Sequence, residues 1–101
     1  MSKVFLYGEL QRSLPFSQVP WQKMNLELLK VKGLVRKTWL SGIGTNTVGG
    51  FYEFDSEENA RAFAEGPYAQ EAAQFGASLT VKLFDGDIVE EASRGMKSPH
   101  Y

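Results

Sequence analysis

Apolar and polar residues alternate with a period of two along four stretches of the chain, and between them apolar residues recur every three or four positions. Residues 3–10 form the first alternating stretch, with Val4, Leu6 and Gly8 on one face and Phe5, Tyr7 and Glu9 on the other. The turn Arg12-Ser13-Leu14-Pro15-Phe16 follows, and Ser17 is expected to cap a helix that holds Pro20 in its first turn. Trp21, Met24, Leu28 and Val31 make that helix's apolar stripe. Lys30 and Lys32 suit its C-terminus, and Gly33 stops it. Residues 34–40 predict a second strand, with Val35, Lys37 and Trp39 opposite Leu34, Arg36, Thr38 and Leu40. The glycine-rich run 41–50 predicts a loop, and residues 50–54 a third strand. Asp55 or Ser56 caps the second helix, whose Glu57 and Glu58 face the positive end of its dipole and whose Ala60, Phe63 and Ala64 are expected inside. Gly66-Pro67 predicts an interruption before Tyr68, Ala72 and Phe75 resume the helical spacing. Residues 78–84 predict a fourth strand. From Asp85 the pattern weakens into a polar tail.

The order is β-α-β-β-α-β, the ferredoxin-like arrangement: an α+β fold with a four-stranded antiparallel sheet and both helices on one face. The whole chain, 1–101, is expected to be one domain, with its core at about 3–85 and a tail at 86–101. Every predicted strand carries large apolar residues on both sides, so the face without helices cannot be wholly polar. An exposed apolar sheet face normally marks an interface. A homodimer in which two sheets pack face to face as a barrel is therefore expected.

Composition narrows the chemistry. Apolar residues are 43% and aromatics 13%, as in a packed domain, and the formal net charge is −1 with no run of basic residues longer than Arg36-Lys37. Nucleic acid is thus a poor partner. With no cysteine there is no disulfide framework or thiolate chemistry. No signal-peptide pattern or membrane-length apolar stretch is seen, and a cytoplasmic protein is the simplest expectation. The one histidine, His100, is expected to be solvated near the C-terminus, which leaves no Ser-His-Asp triad and no multi-histidine metal site. Neither Gly42-Ile43-Gly44 nor Gly49-Gly50 has the context of a phosphate loop.

What remains is an aromatic and basic set on strands. Trp39, Tyr7, Tyr52 and Phe84 are candidates to line an apolar cavity, and Arg36, Lys37 and Lys82 to hold an anionic oxygen. The plainer reading makes the aromatics core and pairs the lysines with acids such as Glu9 or Glu53 across the ladder. Lys37 and Lys82 stand among apolar strand residues, where a desolvated ammonium needs a partner.

Several of these elements also carry a family resemblance. Gly33 with Lys37-Thr38-Trp39, the run Gly49-Gly50-Phe51-Tyr52-Glu53-Phe54, Asp55-Ser56-Glu57-Glu58 through Phe63, Gly76 and Val81-Lys82-Leu83-Phe84-Asp85 resemble the YdhR-type mono-oxygenases of the dimeric α+β barrel superfamily. Pro15-Phe16 after the first strand fits the same pattern. The resemblance implies an oxygenase that needs no cofactor and acts on a small aromatic, phenol-like substrate between sheet and helices. In it a phenolate would be held by Lys37, Arg36 or Lys82 in a cavity shaped by Trp39, Tyr7 and Tyr52. The same scaffold also serves non-enzymatic binding of a small hydrophobic ligand, and lyases or cyclases, for which Tyr52 or Glu53 would do the acid–base work.

Overall fold

The computed structural model describes residues 2–12 and 15–101; Ser13 and Leu14, in the turn expected after the first strand, lie outside them. Four strands, β1 (Val4–Gln11), β2 (Leu34–Ser41), β3 (Thr47–Phe54) and β4 (Ser78–Asp85), form one antiparallel sheet in the order β2-β3-β1-β4. This is the ferredoxin-like order. The sheet is open: β2 pairs with β3 alone and β4 with β1 alone. The expected barrel is therefore overturned. Closure around a filled interior takes about eight strands, and four leave two unpaired edges.

The helices are α1 (Trp21–Leu28), α2 (Glu57–Phe63), α3 (Ala69–Gln74) and α4 (Glu90–Gly95). The first differs from its sequence reading. Ser17 lies in a 3₁₀ turn (Phe16–Gln18), Pro20 stands just before α1, and no residue of α1 is buried. Its stripe is cut short at Leu28, and Val31 reaches the core from the turn that follows. Gly33 closes that turn at a φ of 80°, a conformation that side chains resist. Ser56 caps α2 as expected, its Oγ accepting from the Asn59 N–H at 3.1 Å.

At Gly66-Pro67 the helical path continues where an interruption is predicted. Residues Ala64–Tyr68 widen into a π turn between α2 and α3. Pro67 has no N–H and its ring collides with the carbonyl four residues back, and a wider turn accommodates both faults without ending the helix.

The core lies between these helices and one sheet face. Val4, Leu6 and Leu10 of β1 and Tyr52 and Phe54 of β3 meet Ala60, Phe63, Tyr68 and Ala72. Four aromatic rings interlock here, with Phe63 at 5.2 Å from Tyr52, 5.6 Å from Phe54 and 5.3 Å from Tyr68 between centroids. Tyr68 reaches over β1 where Gly8 has no side chain.

On the opposite face lies the tail, weakly patterned in the sequence but ordered into a helix, α4, and a return segment. After α4 it folds back onto the sheet. His100, expected in water, packs edge-on against Phe5 and tilted against Phe51, at 5.6 and 5.3 Å between ring centroids. Lys3 Nζ donates to the His100 carbonyl, and the Tyr101 hydroxyl donates to the Gly86 carbonyl at 2.5 Å. The buried Glu53 carboxylate accepts Lys3 Nζ at 3.2 Å and lies 3.4 Å from Arg36 Nε. Leu40 and Phe84 remain exposed.

A Cβ on Gly8 would sit 2.7 Å from Tyr68 Cζ and nearer still to Cε2. Gly8→Ala is expected to cost about 1–3 kcal/mol in urea denaturation, as overpacking does. In a Tyr68→Ala background the same substitution should cost much less, and an equal cost in both would show that the ring is not the obstacle.

Candidate functional site

Strand β2 contains an irregularity that decides which of its side chains face the helices. Opposite β3 its register shifts between Leu34 and Arg36, where a bulge takes up Val35. Leu34 then joins Lys37 and Trp39 on the helix side, opposite Phe54, Tyr52 and Gly50. Val35, expected on the face of Lys37, turns out to be about half exposed. Without the bulge, alternation would put Leu34 and Lys37 on different faces.

Lys37 is thus carried inward. Its Nζ lies 3.2 Å from the Trp39 ring centroid and 4.8 Å from that of Tyr52. Two aromatic faces replace much of the water an ammonium would otherwise hold. They do so incompletely: burial lowers the Lys37 pKa to about 7, against a smaller upward pull from the Glu71 carboxylate.

Glu71, on α3, has its own carboxyl pushed up by burial, with Lys37 and Arg12 opposing the rise. Tyr68 is raised to about 12, chiefly by burial. Tyr52 is raised further, first by burial and then by the Tyr68 hydroxyl beside it. Both phenols stay protonated at neutral pH. They are donors here, and Lys37 is the group poised to change its charge.

The remaining wall comes from the segment around α1. Trp39 Nε1 donates to Asn25 Oδ1 at 2.9 Å, and Phe16 meets the Trp39 ring edge-on at 5.7 Å. Val19 and Met24 complete the enclosure. Between these groups the open space is about 10 Å³, roughly the room of one water. A larger guest requires part of this wall to move, and α1, which has no buried residue of its own, is the part of it held least firmly. A lysine near neutrality beside two phenols and a carboxyl can take a proton from a weak acid and hold the resulting anion.

Of the residues singled out in the sequence, Lys37, Trp39 and Tyr52 come together on the helix side. Arg36, Lys82, Tyr7 and Phe84 lie on the other face of the sheet, where Lys82 opposes Tyr7 and Phe84 opposes Phe5. The sheet separates the two groups. Arg12, Asn25, Tyr68 and Glu71 join the site without having been anticipated. For Tyr68 a signal existed, since a glycine in mid-strand marks a close approach by something bulky. Among the described residues no cluster of His, Cys, Asp or Glu is fit to hold a metal ion, and no helix is long and apolar enough to cross a membrane.

A family model described as "Putative mono-oxygenase ydhR" matches residues 15–99. No curated protein sequence matches the chain. Among solved structures, NE2512, a protein of unknown function from Nitrosomonas europaea, is similar at 19% identity with a TM-score of 0.62, over 84% of this chain and 89% of its own. SnoaB, a cofactor-independent oxygenase from Streptomyces nogalater, is similar at 15% identity with a TM-score of 0.60, over 83% of this chain and 92% of its own. At such identities the likeness establishes a shared fold.

The lowered Lys37 pKa sets a pH dependence of stability. Below about pH 7 the lysine is charged in both folded and unfolded chains, and the fold bears the full cost of burying it. From about 7 to 10.5 the unfolded chain holds a proton that the folded one lacks, so stability rises with pH. Glu71 acts in the opposite sense at acid pH, because its raised carboxyl binds a proton more readily when folded. Lys37→Met should therefore stabilise the protein by roughly 1–3 kcal/mol below neutrality, with the gain shrinking toward alkaline pH. Urea melts across that range test it; a gain that grows with pH would contradict the burial described.

Proposed function

The chain belongs to the YdhR family, and from that membership we propose that it is a mono-oxygenase without metal or organic cofactor, acting on a small phenol-like aromatic molecule at Lys37. The observation that carries this reading is the Lys37 ammonium held between Trp39 and Tyr52 with a pKa of about 7. The fold shared with SnoaB, described as a cofactor-independent oxygenase, supports it.

In this scheme neutral Lys37 takes a proton from a substrate whose phenol form has a keto tautomer with a CH₂ carbon. The anion passes one electron to dioxygen, and the resulting radical and superoxide join at that carbon as a peroxide. Lys37 returns its proton to give the hydroperoxide, which loses water and leaves a carbonyl. The substrate loses two hydrogens and gains one oxygen; the second oxygen atom departs as water. Trp39 and Tyr52 flank the ring and exclude solvent, which strengthens the charge interactions within. We assign a second role to the opposite sheet face, with Tyr7 and Phe84: contact with a second copy of the chain.

Oxygen uptake with a panel of phenols and anthrones, no cofactor added, tests the reaction. Turnover is expected, and Lys37→Met should lower kcat by about 10²–10⁴-fold, the usual contribution of a general base. If compounds that bind are never oxidised, the oxygenase reading fails and a ligand-binding protein is left. Sedimentation at micromolar concentration should report a dimer, and Phe84→Lys should shift it toward monomer; a monomer from the outset would refute the pairing.

A further inference from the structure

Arg12 is the last residue before the two that lie outside the described chain, and its charge is unusually placed. Its residue is 9% exposed, and its guanidinium lies over the Phe75 ring, 4.1 Å from the centroid. Among the described residues no carboxylate comes within 4.0 Å of it, although that of Glu71 is near enough for Arg12 to oppose the rise in its pKa. A buried guanidinium without a paired anion is uncommon, because the desolvation of a charge is recovered only through a partner. Stacking on Phe75 offsets part of that cost.

Arg12 borders the same enclosed space as Lys37, Trp39, Tyr52, Tyr68 and Glu71. Three of these six can be ionised near neutral pH, and their charges sum in a simple way. If Lys37 and Glu71 are both charged they cancel; if the proton has moved from one to the other, both are neutral. An arginine guanidinium keeps its charge across the neutral range. Whenever Lys37 and Glu71 carry opposite charges or none, one positive charge is left over, in an enclosure that Trp39, Tyr52 and Tyr68 wall with aromatic rings and Leu10, Val19 and Met24 with apolar chains. That combination suits a flat ring with an anionic substituent, gripped at one end by a planar fork of donors.

We propose that the pocket takes an aromatic acid, its carboxylate held by Arg12 and its ring hydroxyl by Lys37. This deepens the reading of the site given above and rests on it for the location of the ligand, though not for the reaction. Entry requires α1 to move away, because the space as it stands holds about one water. Asn25 then gives up its hydrogen bond to Trp39, and the indole is free to lie along the guest.

Titration calorimetry with the three hydroxybenzoate isomers tests the idea, with phenol and the matching neutral hydroxybenzamides as controls. One hydroxybenzoate is expected to bind at least about tenfold more tightly than its amide, a modest share of what a desolvated charge pair supplies. Arg12→Gln should bring that acid down to the level of the amide, and Arg12→Lys should recover part of the difference. Equal affinity for acid and amide in the unmodified protein, or no binding by any of them, would overturn the proposal. So would a preference that survives Arg12→Gln. Should the glutamine variant not fold, the unmodified protein and Arg12→Lys still decide the matter. Because the readout is heat of binding, acids that bind without being oxidised would sink only the oxygenase, and neutral phenols oxidised with no preference for acids would sink only the aromatic acid.

Discussion

An ammonium group taken out of water must find compensation, and at Lys37 that compensation comes from two aromatic faces and one carboxyl group. Much of the architecture around it follows from that requirement. The bulge at Val35 turns the lysine inward. Tyr52, almost wholly buried, is at once a core side chain and one of the lysine's two rings. The core and the site therefore cannot be separated. The rings of Phe54, Phe63 and Tyr68 pack around Tyr52, and the burial that this packing brings is what lowers the lysine's proton affinity.

The two sheet faces divide the labour. On the helix side the rings, the lysine and Glu71 enclose a space about the size of a water molecule. On the other, the returning tail covers Phe5 and Phe51, while Glu53 gathers Lys3 and Arg36 around a buried carboxylate. Arg36 is next to Lys37 in the sequence and yet belongs wholly to this second network. Neighbours on a strand point apart, and here they serve different faces.

The strands, their antiparallel order and the capped second helix were legible from alternation, glycine runs and Ser56, because these signals are local. The open sheet was not, since closure depends on how many strands take part rather than on any one pattern. The face of Lys37 was misjudged relative to Leu34 for a related reason: a bulge adds one residue to the count and leaves no fixed signature in composition. Lys37, Trp39 and Tyr52 stood out because a basic residue and large rings lie close together along strands. Arg12 and Glu71 did not, since a lone arginine after a strand and a lone glutamate on a helix resemble ordinary surface residues until the chain brings them together. His100 was misread by position alone: nearness to a terminus says nothing about what the terminus packs against.

The π turn at Ala64–Tyr68 has a consequence for how the family's sequences can vary. An α-helix advances about 100° per residue, and a π turn takes one residue more through about the same revolution, so the extra residue is absorbed where it stands. Losing one position between Ala64 and Pro67 would let an ordinary α turn form with Tyr68 and Glu71 still turned toward β1 and Lys37, whereas losing Ala69 or Gln70 would swing Glu71 around the axis by about 100°. Every side chain of the pocket could be retained in that second case while the pocket itself was gone, so the spacing from Tyr68 to Glu71 carries as much information about a relative's site as the identity of the residues that line it.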